Sequence, residues 1–401
     1  MRKFSSLADQ FLVSGGNFLV VAICAHALSL TEQGKFTYVF ASYMALLLLN
    51  VATIFQGAAV RAPAQEQDSY HTSLAKLQLI QAILSSLLVS LVWLYFGGYV
   101  GWQATLTEAT LLFFFLLLQQ LADFNRRSAY IFFDAKHALL SSTALYPVRI
   151  LGLIAFRPET IEQVLLILLF SALIPALLTV FRIWRSWVAY EVKQAGGVKG
   201  HLFYSRFFIA SAPLGWLWSY APIFILGKMY GKEQVALLAS IRGISNLANV
   251  LMEQIETKVV ADWARLKHID GDAAMITAAS RLLRIGGVFW LFGMAVILML
   301  GSKIVGFVLG GSYAPYWQLL VIGWIGYGVY FLARVSGIKH RALGSNQIEF
   351  VGNSVGVLTA LAVGLLVIPE WQATGAAWVY VVIAAAMWGS QEFALKRVSG
   401  K

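Results

Sequence analysis

The sequence has almost no cysteine and very little charge, and each shortage excludes a class of protein. Its single cysteine, Cys24, lies inside the first long apolar run, so an intrachain disulfide, a cysteine-based zinc site and an iron–sulfur cluster are all excluded. Charged residues make up 12% of the 401 and hydrophobic residues 59%, against ~25% and ~45–50% in ordinary soluble domains. A water-soluble fold is thereby ruled out. Sequence motifs for common chemistries are missing as well: there is no G-x-x-x-x-G-K-[ST], no H-E-x-x-H and no G-x-S-x-G, which argues against an ATP-driven pump, a zinc protease and a serine hydrolase. With short loops throughout, there is no room for a large catalytic loop. The expectation is a protein that is not an enzyme, with no cofactor and no metal.

What the chain does have is a succession of apolar runs, each about the 20 residues that a spanning helix needs. They fall at 8–28, 36–60, 73–96, 107–124, 139–156 and 161–181, then at 203–226, 234–257, 285–300, 316–333, 350–367 and 373–388. This predicts an all-α polytopic membrane protein of about twelve transmembrane helices. Two six-helix lobes follow, 1–185 and 201–401, joined by a cytoplasmic linker at 186–200. The basic start, Met1-Arg2-Lys3, precedes no small-residue cleavage site and reads as the flank of an uncleaved first helix. A faint internal repeat matches the two lobes: Thr31-Glu32-Gln33-Gly34-Lys35-Phe36 through Ala41-Ser42 resembles Gly231-Lys232-Glu233-Gln234 through Ala239-Ser240. Parallel repeats of this kind pack about a central cleft in many transporters.

Lysine and arginine test the span count, because a wrong count would scramble them between alternate loops. Of the 30 basic residues, Lys35, Arg157, Lys228, Lys232 and Lys303 fall on one side, Arg149 and Arg242 fall in mid-span, and the other 23 fall on the opposite side. That side is cytoplasmic, and it holds both termini. The formal net charge of +11 is then explained by basic loops at an anionic leaflet rather than by a nucleic-acid partner.

Charge inside a bilayer is costly and marks function by default. Arg242 lies about nine residues into the eighth span, ~13 Å at 1.5 Å per residue, and Arg149 about ten residues into the fifth, so both approach the midplane of a ~30 Å core. On the eighth helix Arg242, Asn246, Asn249, Glu253 and Glu256 recur at spacings of four and three, which is one helical face. The second helix carries a similar stripe in Asn50, Thr53, Gly57 and Arg61, the first in Gln10, Ser14 and Asn17, and the tenth in Tyr327, Tyr330 and Arg334. Such faces either line a polar cleft, with tyrosines to stack on sugars, or hydrogen-bond neighbouring helices. Arg61, Arg334, Arg126 and Arg127 lie at cytoplasmic ends, where snorkelling is the alternative to function, and Asp123 with Arg127 reads as an intrahelical pair. The acids Asp123, Glu253 and Glu256 sit towards cytoplasmic ends, which leaves the centre positive. Arginine's planar fork suits phosphate oxygens, so the expected partner is an anionic, diphosphate headgroup. Pro147, two residues before Arg149, should disturb the fifth helix locally.

The opening Asp9-Gln10-Phe11-Leu12-Val13-Ser14-Gly15-Gly16-Asn17-Phe18, the turn Thr31-Glu32-Gln33-Gly34-Lys35-Phe36 and the twelve-span layout resemble the multidrug/oligosaccharidyl-lipid/polysaccharide (MOP) flippase superfamily, in particular its polysaccharide transporter branch with the Wzx-type O-antigen flippases. The match of residues is confined to the first ~60; the likeness of layout covers the chain. The resemblance implies two lobes, a cationic central cavity, alternating access and an undecaprenyl-diphosphate-linked oligosaccharide as cargo in the bacterial inner membrane. Arg242 and Arg61 match that family's cavity arginines by helix and depth.

Together these readings give a flippase for O-antigen, capsule or exopolysaccharide synthesis. Its expected binding residues are Arg242, Arg149, Arg61, Asn246, Asn249, Asn50, Arg334, Tyr327 and Tyr330, with Asp123 or Glu253 coupling transport to an ion. Membrane lipids, a polymerase and other glycan-assembly proteins are the expected partners. Two rivals stay open. A multidrug exporter of the related MATE type should show a mid-membrane carboxylate for its cationic cargo, and a non-transporting scaffold should tolerate neutral residues at both midplane arginines.

Overall fold

The structure is a computed structural model that describes residues 2–62, 67–99, 103–189, 196–342 and 347–399. Within them every regular element is helical and there is no strand, as expected where lipid offers the backbone no partner and each N–H and C=O must be satisfied inside its own helix. The elements are α1 (Arg2–Ala27), α2 (Leu30–Asn50), a π-helical segment (Val51–Phe55), α3 (Gln56–Arg61), α4 (Gln67–Tyr99), α5 (Leu106–Phe132), α6 (Ala135–Phe156), α7 (Ile161–Ala189), α8 (Gly196–Leu309), a 3-10 turn (Ala314–Tyr316), α9 (Gln318–Ala342) and α10 (Gln347–Ser399).

Turn chemistry in the sequence sets where the apolar runs stop. Ser29 caps α2 by accepting from the Glu32 N–H at 3.3 Å. Thr105 and Glu108 close a reciprocal capping box on α5, and Arg157 ends α6 in the left-handed region. The long runs α8 and α10 are broken inside. Gly231 (φ 82°, ψ 179°) and Gly271 (φ 81°, ψ −179°) adopt a conformation open essentially to glycine alone, and Gln372 (φ 50°, ψ −131°) breaks α10. Among the described residues ten helical stretches are long and apolar enough to cross a membrane. Two of them, Val198–Ala248 and Phe350–Ala394, contain the breaks at Gly231 and Gln372, which brings the spans to twelve. This is a multi-pass membrane protein, and large apolar side chains such as Leu84, Leu88, Phe170, Phe292 and Leu366 stand exposed, as acyl chains require.

The chain forms two compact units, Met1–Pro213 and Leu214–Lys401. In the first, α1 packs on α6, and α5 packs on α4 and α7. Gly16 permits the α1–α6 approach: a Cβ there would collide with the buried Tyr146 ring. Pro147 sits inside α6, which runs unbroken from Ala135 to Phe156; the expected disturbance does not interrupt the helix. The π-helical turn does interrupt the regular ladder of the second span, and the start of α8 packs near it. His201, fully buried, lies 2.7 Å from the Thr53 carbonyl oxygen through Nε2 and 2.8 Å from the Tyr70 hydroxyl through Nδ1. In the second unit α9 packs on α10, and Trp290 and Trp324 each donate an indole N–H to the other's carbonyl at 2.9 Å.

Candidate functional site

Eleven residues beyond the break at Gly231, about 16 Å along the helix, α8 carries Arg242 in the second unit. Its guanidinium carbon lies 3.8 Å from the centroid of the Tyr380 ring, and its Nη1 donates to the Ser219 carbonyl at 2.9 Å. The Tyr380 hydroxyl donates to that same carbonyl at 2.8 Å. Tyr327 stands beside Arg242 and donates its hydroxyl proton to Asn246 Oδ1 at 2.7 Å. No carboxylate of a described residue pairs with Arg242.

Aromatic rings continue from this point. Tyr327 meets Tyr330 edge-on with centroids 6.5 Å apart, Tyr330 lies 5.8 Å from Trp218, and the Arg334 guanidinium sits 5.4 Å from the Tyr330 centroid. Trp218 is fixed in turn by donating to Asn353 Oδ1 at 3.0 Å. The second unit thus brings together Arg242, Asn246, Tyr327, Tyr330 and Arg334 from the expected set, and adds Tyr380, Ser219 and Trp218. Chemically this is a cation in an aromatic frame, suited to oxyanions beside faces that stack on sugars.

The first unit treats charge differently. Asp9 of α1 is 0% exposed and accepts from Arg126 Nη1 at 3.0 Å, from the Tyr130 hydroxyl at 2.6 Å and from the Ser142 hydroxyl. Asp123 accepts from the Tyr43 hydroxyl at 2.9 Å and stands 4.0 Å from Arg126 Nε. Arg126 is 8% exposed, so it is a buried ion-pair partner and does not snorkel to the interface; its geometry also gives Asp123 a nearer cation than the i+4 pairing with Arg127 suggests. Asp9 escapes a sequence reading because it sits at the edge of the first apolar run and passes for a boundary residue. The structure starts α1 earlier, at Arg2, which puts the acid inside the helix.

Arg149 is 3% exposed and donates from Nε to Ser171 Oγ at 3.0 Å and from Nη2 to Gln119 Oε1 at 2.6 Å, with the Tyr146 ring 5.7 Å away. It borders a narrow cavity within the first unit shared with Asn17, Tyr43 and Phe115. Asn50 accepts from Gln81 Nε2 at 2.6 Å, and Thr53 donates to Gln81 Oε1 at 2.7 Å, so this part of the second-span stripe joins two helices. The side chains of Arg61, Asn249, Glu253 and Glu256 lie outside the described residues.

With this geometry in hand, similar solved structures place the fold. A multidrug-resistance MATE family transporter of the MOP superfamily, in an inward-facing conformation, matches with a TM-score of 0.70 at 14% identity, over 100% of this chain and 95% of that one. Lipid II flippase MurJ matches with a TM-score of 0.70 at 13% identity, over 98% and 86%, and the Vibrio cholerae MATE transporter VcmN with 0.68 at 14%, over 98% and 95%. The fold is therefore one that this chain shares with MATE transporters and with the lipid II flippase MurJ. No protein-family model and no curated protein matches the sequence.

Proposed function

We propose that this chain is a flippase that moves an undecaprenyl-diphosphate-linked oligosaccharide across the bacterial inner membrane by alternating access, for the assembly of a surface polysaccharide. The observation that carries the reading is Arg242: a mid-span guanidinium held by a ring and a carbonyl, with no carboxylate of a described residue to neutralise it. A cation inside a span without a counter-charge is costly, and an anionic cargo supplies one. Diphosphate oxygens fit the guanidinium fork, and Tyr327, Tyr330 and Trp218 offer faces for the glycan. In the first unit Arg149, also without a carboxylate partner among the described residues, is the second candidate contact. Asp123 is a candidate for ion coupling, and both termini are cytoplasmic on this reading.

Export of a cationic drug is the second reading, favoured by the MATE neighbours and by the buried acids Asp9 and Asp123. Those acids already face Arg126, which weakens their pull on a cationic cargo. Proteoliposomes separate the readings. Translocation of a fluorescent lipid-diphosphate oligosaccharide that is lost in Arg242→Ala supports the flippase; transport of a lipophilic cation in its place, indifferent to Arg242, refutes it.

A further inference from the structure

Resting on the reading above, we infer that Tyr380 is a positioning residue that presets the Arg242 guanidinium for bidentate capture of a phosphate oxyanion. Two contacts fix that group. The Tyr380 ring lies against it with its centroid 3.8 Å from the guanidinium carbon, and the Ser219 carbonyl takes one Nη1 proton at 2.9 Å; Tyr327 stands beside it with its own proton committed to Asn246. Tyr380 is itself anchored, since its hydroxyl donates at 2.8 Å to the same Ser219 carbonyl. Ring, carbonyl and guanidinium therefore form one closed unit drawn from α8 and α10.

A free arginine side chain loses rotamer entropy when it binds, and a preset one does not, so the closed unit converts Tyr380 into affinity without touching the ligand. Among the described residues only the Ser219 carbonyl takes a proton from Arg242, at Nη1, which leaves the planar edge formed by Nε and Nη2. Such an edge matches two oxygens of a phosphate and is poorly matched by a point-like anion. The substrate group selected is accordingly a phosphate or diphosphate ester, and lysine at 242 would keep the charge but not the selection.

The test measures binding of farnesyl diphosphate to the purified full chain in lipid nanodiscs, for wild type, Arg242→Ala, Arg242→Lys, Tyr380→Leu, Tyr380→Phe and the Arg242→Ala/Tyr380→Leu pair. Expected are a loss on the order of tenfold in Tyr380→Leu, retention to within about threefold in Tyr380→Phe, which keeps the ring and loses one hydrogen bond, and no rescue by lysine. In the Arg242→Ala background Tyr380→Leu should cost nothing more, because the residue acts only through the arginine. A purely structural tyrosine would weaken both backgrounds equally, and that result, or unchanged binding in Tyr380→Leu, or full binding by Arg242→Lys, overturns the inference while leaving the flippase reading intact. If Tyr380→Leu does not fold, Tyr380→Phe decides: binding lost by more than tenfold, or lost equally without Arg242, rejects the role. Absence of binding by the wild type, or binding indifferent to Arg242→Ala, overturns the flippase reading itself and this inference with it.

Discussion

In the first unit Arg126 meets the Asp9 carboxylate at 3.0 Å with Asp123 at 4.0 Å; in the second, Arg242 meets a tyrosine ring and a carbonyl oxygen. Both are arginines within apolar spans, yet one is neutralised by its own protein and the other by no described residue. A neutralised buried charge is a structural tether, whose partners are lost only at high cost. On the proposed reading, an unneutralised one is answered by a charge that comes from outside. Burial of an arginine in a membrane therefore says little about its role until its counter-charge is known.

The largest effect expected from breaking this contrast is in the first unit. Asp9→Ala strands Arg126 beside a single distant carboxylate and should destabilise the protein by about 3–5 kcal/mol, read as a lowered melting temperature in detergent. The paired change Asp9→Leu with Arg126→Met should recover most of that loss, since a buried pair often exchanges for apolar residues without net cost. Arg242→Ala should do the reverse: melting nearly unchanged, but affinity for a lipid diphosphate down by about 10–150-fold, the equivalent of a charged hydrogen bond worth ~1.5–3 kcal/mol. Gly16→Val drives a side chain into the Tyr146 ring and should cost about 1–3 kcal/mol, seen in melting and not in headgroup binding. Smallest is Asn50→Ala, at ~0.6 kcal/mol for one interhelical hydrogen bond; a complete loss of transport with normal melting would show instead that the second-span stripe touches cargo.

Much of the architecture was legible in the chain, because a bilayer imposes a length and an apolarity on every span that residues announce directly. The breaks were legible in position, since Gly231 stands between the runs 203–226 and 234–257 and Gln372 between 350–367 and 373–388; the positive φ was legible only at the glycine, because glutamine rarely takes one. The π-helical turn at Val51–Phe55 left no periodic trace, since its neighbours read as a continuous apolar helix. In the site, helical spacing grouped Arg242 with Asn246, and Tyr327 with Tyr330, each on its own helix. It could not join the two pairs, nor find Tyr380 and Ser219, which lie 138 and 23 positions from Arg242 in the chain.

What the sequence determined by itself, then, was the medium, the number of spans and the residues whose charge is out of place there, because these follow from local composition and from the 3.6-residue repeat. Only the tertiary structure decided which of those charges are already answered. Asp9 reaches Arg126 across 117 residues, and Arg149 is met by Gln119 and Ser171 across 30 and 22. Electrostatic compensation depends on distances of 3 to 4 Å between atoms of different helices, and no pattern along one helix encodes which neighbour will stand there.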